Sequence, residues 1–174
     1  MSDSADLSRM TVSEFLEKLD AAWAELQAFI ASLTPEKLTG PTDAAGWTVK
    51  DHLMHIVVWE DGGVNALLDG ESPHTRMGID EATWTGRDFE VINAAVQQHS
   101  REMSLSDVLD ALNHSHVECR RHIAAMSNAD LQRPYRDFFP VSESANPIVW
   151  WLEGNSTGHY EEHLPWMRAI VENA

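Results

Sequence analysis

Apolar side chains recur at helical spacing along most of this 174-residue chain, and that spacing constrains its fold more than any other feature. In the first long segment the apolar positions lie three or four residues apart, as on one face of an α-helix. These positions are Leu16, Leu19, Trp23, Leu26, Ile30 and Leu33. No clear alternation of apolar and polar residues indicates a strand. The sequence therefore predicts an all-α fold.

Capping residues and prolines indicate where the helices begin and end. Thr11 with Glu14, and Thr48 with Asp51, have the spacing of N-terminal caps, and Pro165 should kink the last helix one turn upstream. We expect helices over residues 11–33, 48–68, 85–99, 106–126 and 147–174, a long connection over 70–84, and a proline-containing segment over 128–146.

An internal repeat relates the two halves of the chain. Residues 12–41 align without gaps onto residues 105–134, and a short insertion then pairs Trp47 with Trp151 and His55 with His159. Two helical hairpins related by a pseudo-twofold axis would place His55 and His159 on facing helices. We expect one domain over residues 1–174, a four-helix bundle of up-down-down-up type with a long crossover and an extra short helix.

Two histidines four residues apart, His159 and His163, project from the same face of the last predicted helix. That spacing suits a divalent metal ion, and the repeat would bring His55 across as a third neutral nitrogen ligand. Three protein ligands leave coordination positions open, which favours a catalytic role over a structural one. Imidazole binds zinc, nickel, copper and iron, so the ligands leave the metal open.

The charge of the chain argues against two classes of partner. Twenty-eight acidic and twelve basic residues give a formal net charge of −16. Such a surface repels nucleic-acid phosphates and anionic lipids, so we expect neither nucleic-acid nor membrane binding. Residues 1–9 are polar and acidic, unlike a signal peptide, and one cysteine fits a reducing compartment. We expect a cytoplasmic protein.

The order of these motifs resembles the DinB-like superfamily (DinB/YfiT-like metalloenzymes). Gly-Trp-Thr-Val-Lys-Asp-His-Leu-Met-His at residues 46–55 and His-Tyr-Glu-Glu-His-Leu at residues 159–164 are similar to its two histidine segments. The sequence most resembles the ClbS/DfsB-like branch. That likeness lies in Trp59-Glu60, Trp84 ahead of Asn93-Ala94, Ser156-Thr157-Gly158-His159-Tyr160 and Trp166.

The resemblance implies a metal, commonly zinc or nickel, on His55, His159 and His163. It also implies frequent homodimers and activities that include thiol-dependent transfer, isomerisation and the opening of a reactive cyclopropane. A low-molecular-weight thiol is therefore a second candidate cofactor. Resistance-type members often lack the second histidine of the His-x-x-x-His pair, so His163 favours the metal-binding members.

Four further residues are candidates for a substrate pocket. His52 and Trp59 lie one turn on either side of His55, and Asn155 lies one turn before His159; Asn93 is implied by the resemblance alone. For His52 and Trp59 the alternative is packing without a direct role. Other residues favour a structural interpretation: Glu60 and Glu162 as solvated carboxylates rather than general bases, and Cys119 as a core thiol.

These observations leave two main hypotheses for function. In the first, a metal-dependent enzyme acts on a small electrophilic or hydrophobic metabolite by hydrolysis, ring opening or thiol transfer. In the second, the protein binds and sequesters such a molecule without catalysis, and the metal is structural or adventitious. A dimeric interaction protein is a third, less favoured hypothesis.

Overall fold

A computed structural model of the chain describes residues 7–86 and 88–173. Residues 1–6, which include most of the polar N-terminal segment, lie outside the described residues, as do Arg87 and Ala174. Helix accounts for 73% of the structure, and the described residues contain no strand. Two isolated bridges, Thr42 with Thr48 and Pro134 with Pro147, are the extended pairings found there. The predicted all-α class is confirmed.

Six helices organise the structure: α1 (Val12–Ala31), α2 (Val49–Glu60), α3 (Phe89–Ser100), α4 (Leu105–Ala125), α5 (Ile148–Gly154) and α6 (Thr157–Glu172). Helices α1, α2, α4 and α6 pack in a ring in which α1 and α2 each contact both α4 and α6. Shorter helices occupy the connections: Pro35–Thr39, Ala66–Asp69, Pro73–Met77, Glu81–Gly86, Asn128–Leu131 and the 3₁₀ turn Tyr135–Asp137. Buried side chains of the four packed helices form the main core.

Two predicted helix starts are confirmed by reciprocal hydrogen bonds. The Thr11 side chain accepts a bond from the Glu14 backbone N–H, and the Glu14 carboxylate accepts one from the Thr11 N–H at 2.8 Å. Thr48 and Asp51 make the same exchange, with the Asp51 Oδ2 2.9 Å from the Thr48 nitrogen. Each exchange satisfies backbone donors that the first helical turn leaves without partners.

Helix α2 continues into a π-helical turn, Asp61–Asn65, before the short helix Ala66–Asp69. A Cβ atom on Gly63 would lie 2.9 Å from the Asn155 side chain, so glycine permits the close approach of the two segments. The Trp151 indole Nε1 donates to the Gly63 carbonyl at 2.6 Å, which satisfies an acceptor in the irregular turn. The helix predicted over residues 48–68 therefore has the expected extent, but residues 61–65 within it are π-helical rather than α-helical.

The last predicted helix is broken at a different place from the one expected. Asn155 and Ser156 separate α5 from α6, with Ser156 at φ −132° and ψ −98°, whereas α6 runs through Pro165. The Asn155 Nδ2 donates to the Trp151 carbonyl at 2.8 Å, and the Ser156 Oγ donates to the Leu152 carbonyl at 2.6 Å. At Ser156 the side chain takes the Leu152 carbonyl while the backbone N–H donates to Glu153 instead, so side chain and backbone compete at the break.

Two other helix starts differ from prediction. Helix α3 begins at Phe89 rather than at residue 85, because the Asp88 side chain caps it by accepting from two backbone N–H groups. Helix α5 begins at Ile148, one residue late, because its backbone N–H donates to Arg133 across the Pro134–Pro147 bridge. The long connection predicted over residues 70–84 contains the short helix Pro73–Met77 and the start of Glu81–Gly86.

A smaller apolar cluster fixes α3 against α2. It comprises Val58, Trp59, Met77, Ile92 and Val96, all buried. Asn93 lies beside Ile92 and is thereby brought to the end of α2 that carries Trp59. Nowhere in residues 7–86 or 88–173 is there a helix with both the length and the apolarity needed to cross a membrane.

Candidate metal centre

The structure brings together His55 from α2 and His159 and His163 from α6. One ring nitrogen from each lies within 4.8 Å of those of the other two. The three side chains are buried, with relative exposures of 6%, 8% and 4%. Helical spacing puts His159 and His163 on one face of α6, and the packing of α2 against α6 supplies His55. The sequence prediction grouped the same three residues.

The arrangement fits a divalent ion. The Nε2 atoms of His55 and His159 face each other at 3.1 Å. Two nitrogen ligands at about 2.0–2.1 Å from one ion have a separation close to this value. The Nδ1 atoms of both rings are buried and have no hydrogen-bond partner among the described residues. Both rings therefore direct their Nε2 atoms at a shared point, where a cation would satisfy both lone pairs.

A hydrogen-bonded chain of side chains orients the third histidine. The His163 Nδ1 lies 2.9 Å from the Nδ1 of His52, and the His52 Nε2 lies 3.3 Å from the Oδ2 of Asp43. An ionised carboxylate only accepts, so His52 donates from Nε2 and accepts at Nδ1. His163 must then donate from Nδ1, which leaves its Nε2 lone pair free for a metal ion.

Asp43 itself is held by backbone groups. Its Oδ1 accepts from the N–H groups of Ala45 and Trp47 at 2.8 and 2.9 Å. The turn before α2 therefore fixes the carboxylate that orients His52. We did not predict Asp43 from the sequence, since its spacing from α2 follows no helical period.

Asp43→Asn tests this orientation. Asparagine can present an N–H to His52 and allow the opposite ring tautomer, so we expect affinity for Zn²⁺ to fall by about 10- to 100-fold. Competition against a chromophoric chelator would measure the change. Asp61→Asn, in a carboxylate that pairs with Arg76 outside the site, is the matched control. Equal Zn²⁺ affinity in Asp43→Asn and the wild type would contradict the proposed orientation.

Burial keeps the imidazole rings of the three clustered histidines and of His52 neutral. Desolvation, with smaller contributions from His159 and His52, lowers the pKa of His55 to about 2. Desolvation lowers the pKa of His159 to about 4, and it also lowers the pKa values of His163 and His52. Metal binding requires the unprotonated ring, so the cluster needs no proton release near neutral pH.

A cavity of about 1300 Å³ opens onto the histidine cluster. All four predicted pocket residues line it: His52, Trp59, Asn93 and Asn155. The Trp59 Nε1 donates to the Asn93 Oδ1 at 3.0 Å, which fixes both side chains. Trp59 also packs in the smaller apolar cluster, so the same side chain lines the cavity and contributes to the core.

Three aromatic wall residues were absent from the predicted pocket: Trp47, Phe89 and Trp166. The ring centroid of Trp47 lies 5.4 Å from that of His55, and the centroid of Trp166 lies 4.8 Å from that of His163. Trp166 follows His163 by three residues on α6, a spacing that could have indicated its position. Trp47 precedes α2, where helical spacing gives no guidance. Phe89 lies four residues before Asn93 on α3, a spacing that could have indicated its position.

The two carboxylates considered near the ligands have different environments. Glu60 is fully buried and accepts a hydrogen bond from Tyr160, so its prediction as a solvated carboxylate was wrong. Desolvation raises the pKa of Glu60 to about 7. Glu162 is exposed on the cavity wall. Cys119 is buried and burial raises its pKa, which confirms a core thiol.

Known proteins resemble this chain in sequence and in fold. The "Putative metal-dependent hydrolase" of Geobacillus thermodenitrificans (strain NG80-2) is 28% identical over 122 residues, covering 70% of this chain and 64% of that protein. The chain thus spans less than two thirds of that relative. A crystal structure of an uncharacterised protein from Escherichia coli UTI89 aligns with a TM-score of 0.70 at 17% identity, covering 94% of each chain. At that identity the likeness shows a shared fold.

The family is shown by a match that spans most of the sequence. The pattern that defines the DinB superfamily matches residues 18–163, a range that begins in α1 and ends at the third histidine. It therefore contains His55, His159 and His163, all of α2 and α4, and parts of α1 and α6. The chain belongs to the DinB superfamily.

Proposed function

We propose that this protein is a metal-dependent hydrolase of a small electrophilic, largely hydrophobic molecule. The observation that carries the proposal is the convergence of three buried, neutral imidazoles on one point at the wall of a large cavity. His55, His159 and His163 would hold a divalent ion, zinc or nickel. That ion would supply Lewis acidity for the attack of water on the electrophile. The name of the Geobacillus relative supports this reaction class.

The chain's own residues would position the substrate. Trp47, Trp59 and Trp166 give the cavity apolar walls that exclude water from the apolar part of a ligand. Asn93 accepts from Trp59 through its Oδ1, so its amide N–H groups are directed to other acceptors, such as a substrate oxygen. Asp43 and His52 would hold His163 in the tautomer that leaves its Nε2 free for a metal ion.

The aromatic walls would also suit a protein that sequesters a hydrophobic molecule without catalysis. Multiple turnover distinguishes hydrolysis from such sequestration. We expect protein reconstituted with Zn²⁺ or Ni²⁺ to hydrolyse many equivalents of a hydrophobic aryl ester or lactone, while metal-free protein does not. His163→Ala should lose turnover. His114→Ala, in an exposed histidine outside the cavity, should retain it. Clearance of one equivalent per chain would favour the sequestering protein instead.

Several finer features are part of the same proposal. We propose that the ring of α1, α2, α4 and α6 is a four-helix bundle of two pseudo-twofold-related hairpins, supported by the contact of His55 with His159 across α2 and α6. A single domain, a cytoplasmic homodimer without nucleic-acid or membrane partners, and a place in the ClbS/DfsB-like branch complete the proposal. A thiol co-substrate and a ring-opening reaction are the alternatives to hydrolysis.

A further inference from the structure

Apart from the histidines, the ionisable side chains on the described part of the cavity wall are acidic. Two carboxylates, Asp43 and Glu162, line the cavity, and no lysine or arginine does so within the described ranges. In the metal-free protein an anionic ligand would therefore meet no basic side chain on the described wall.

Only one of these two carboxylates is available to a ligand. Asp43 is engaged by His52, Ala45 and Trp47. Glu162 is exposed, lines the cavity and has neither a hydrogen bond nor an ion pair in the part of the chain that the structure describes. It is therefore positioned to accept hydrogen bonds from a ligand.

An aromatic ring lies beside this carboxylate. Trp166 follows Glu162 by four residues on α6, so the two side chains lie one turn apart on the same face, and both line the cavity. Trp166 is 48% exposed, which leaves much of the indole accessible to a ligand. A carboxylate with an adjacent indole suits an ammonium group, which gains an ion pair and a cation–π contact together.

We propose that the substrate is an amine: a hydrophobic, aromatic molecule that carries an ammonium group bound by Glu162 and Trp166. The apolar part would lie against Trp47, Trp59 and Phe89, and the electrophilic carbon would face the histidine cluster. This inference names the substrate class of the proposed hydrolase and rests on the same cavity. It does not depend on the metal, so its test uses metal-free protein.

Three probes of similar size that share a naphthalene ring separate the charge preference from apolar binding: 2-naphthylmethylamine, 2-naphthylmethanol and 2-naphthoate. Isothermal titration near neutral pH and physiological salt would compare their dissociation constants. We expect the amine to bind about tenfold more tightly than the alcohol, and the alcohol more tightly than the carboxylate. Glu162→Gln should remove the advantage of the amine and leave the affinity for the alcohol unchanged.

Glu161→Gln is the matched control because it changes the net charge equally at the neighbouring exposed residue, which does not line the cavity. It should retain the preference for the amine. Trp166→Ala should weaken binding of the amine by a larger factor than binding of the alcohol. Equal or tighter binding of the carboxylate, a preference that survives Glu162→Gln, a loss that Glu161→Gln reproduces, or no binding of any probe would overturn the proposal. Failure of hydrolysis with retained amine selectivity would count against the proposed function alone.

Discussion

His159→Ala should reduce the affinity for Zn²⁺ by more than about 100-fold, the largest effect we expect from a single substitution in this protein. The variant leaves two of the three imidazoles and removes the Nε2 that lies 3.1 Å from that of His55. With two ligands on different helices, His55 and His163, the binding energy no longer compensates for desolvating the ion. Chelator competition would measure the affinity directly.

Thermal unfolding of the same variant separates metal loss from misfolding. A ligand at 100 times its dissociation constant stabilises the folded state by about 2.7 kcal/mol, so Zn²⁺ should raise the Tm of the wild type. Metal-free His159→Ala should unfold cooperatively, with a Tm that Zn²⁺ does not raise. His114→Ala should show the wild-type rise. A rise of wild-type size in His159→Ala would remove this residue from the metal centre.

Glu60→Gln should change the pH dependence of stability by about 3 kcal/mol, the second large effect. Burial raises the pKa of Glu60 from 4.5 to about 7 in the folded protein. Between these values the unfolded chain releases the proton while the folded chain keeps it, so the free energy of unfolding falls as pH rises. Gln cannot ionise and keeps an acceptor for the Tyr160 hydroxyl.

The predicted quantity is the difference in free energy of unfolding between Glu60→Gln and the wild type. Relative to wild type, Glu60→Gln should gain stability steadily from pH 4.5 to pH 7 and level off above it. The buried histidines titrate in both proteins and cancel in the difference. Urea unfolding of metal-free protein at several pH values would measure it, with Glu161→Gln as an exposed control. Parallel pH profiles for wild type and Glu60→Gln would show that Glu60 is ionised in the folded state.

Local signals were sufficient for much of the fold. The caps at Thr11 and Thr48 depend on residues three positions away, so the starts of α1 and α2 could be predicted from the sequence. The break at Asn155 and Ser156 could not, because those residues are also compatible with a helix. At the break both side chains bond to helix carbonyls, and Asn155 packs against Gly63 of a segment distant in sequence.

The candidate site also has residues that the sequence predicts and residues that it does not. Helical spacing put His159 and His163 together, and the internal repeat indicated His55, so the histidine cluster could be predicted from the sequence. Asp43 joins the site through a turn, and the sequence contains no period that relates a turn residue to His52. Glu60 looked like one more surface carboxylate among 28 acidic residues. Its burial depends on the packing of α2 against α4 and α6, which composition does not reveal.

X-ray absorption at the zinc edge of the reconstituted wild type tests the metal centre most directly. Three imidazole ligands should give nitrogen neighbours at about 2.0–2.1 Å and the multiple-scattering pattern of histidine rings, with one ion per chain. In His159→Ala that pattern should weaken or disappear as the bound zinc is lost. A wild-type spectrum without imidazole scattering, or one that His159→Ala leaves unchanged, would contradict a three-histidine metal centre in this protein.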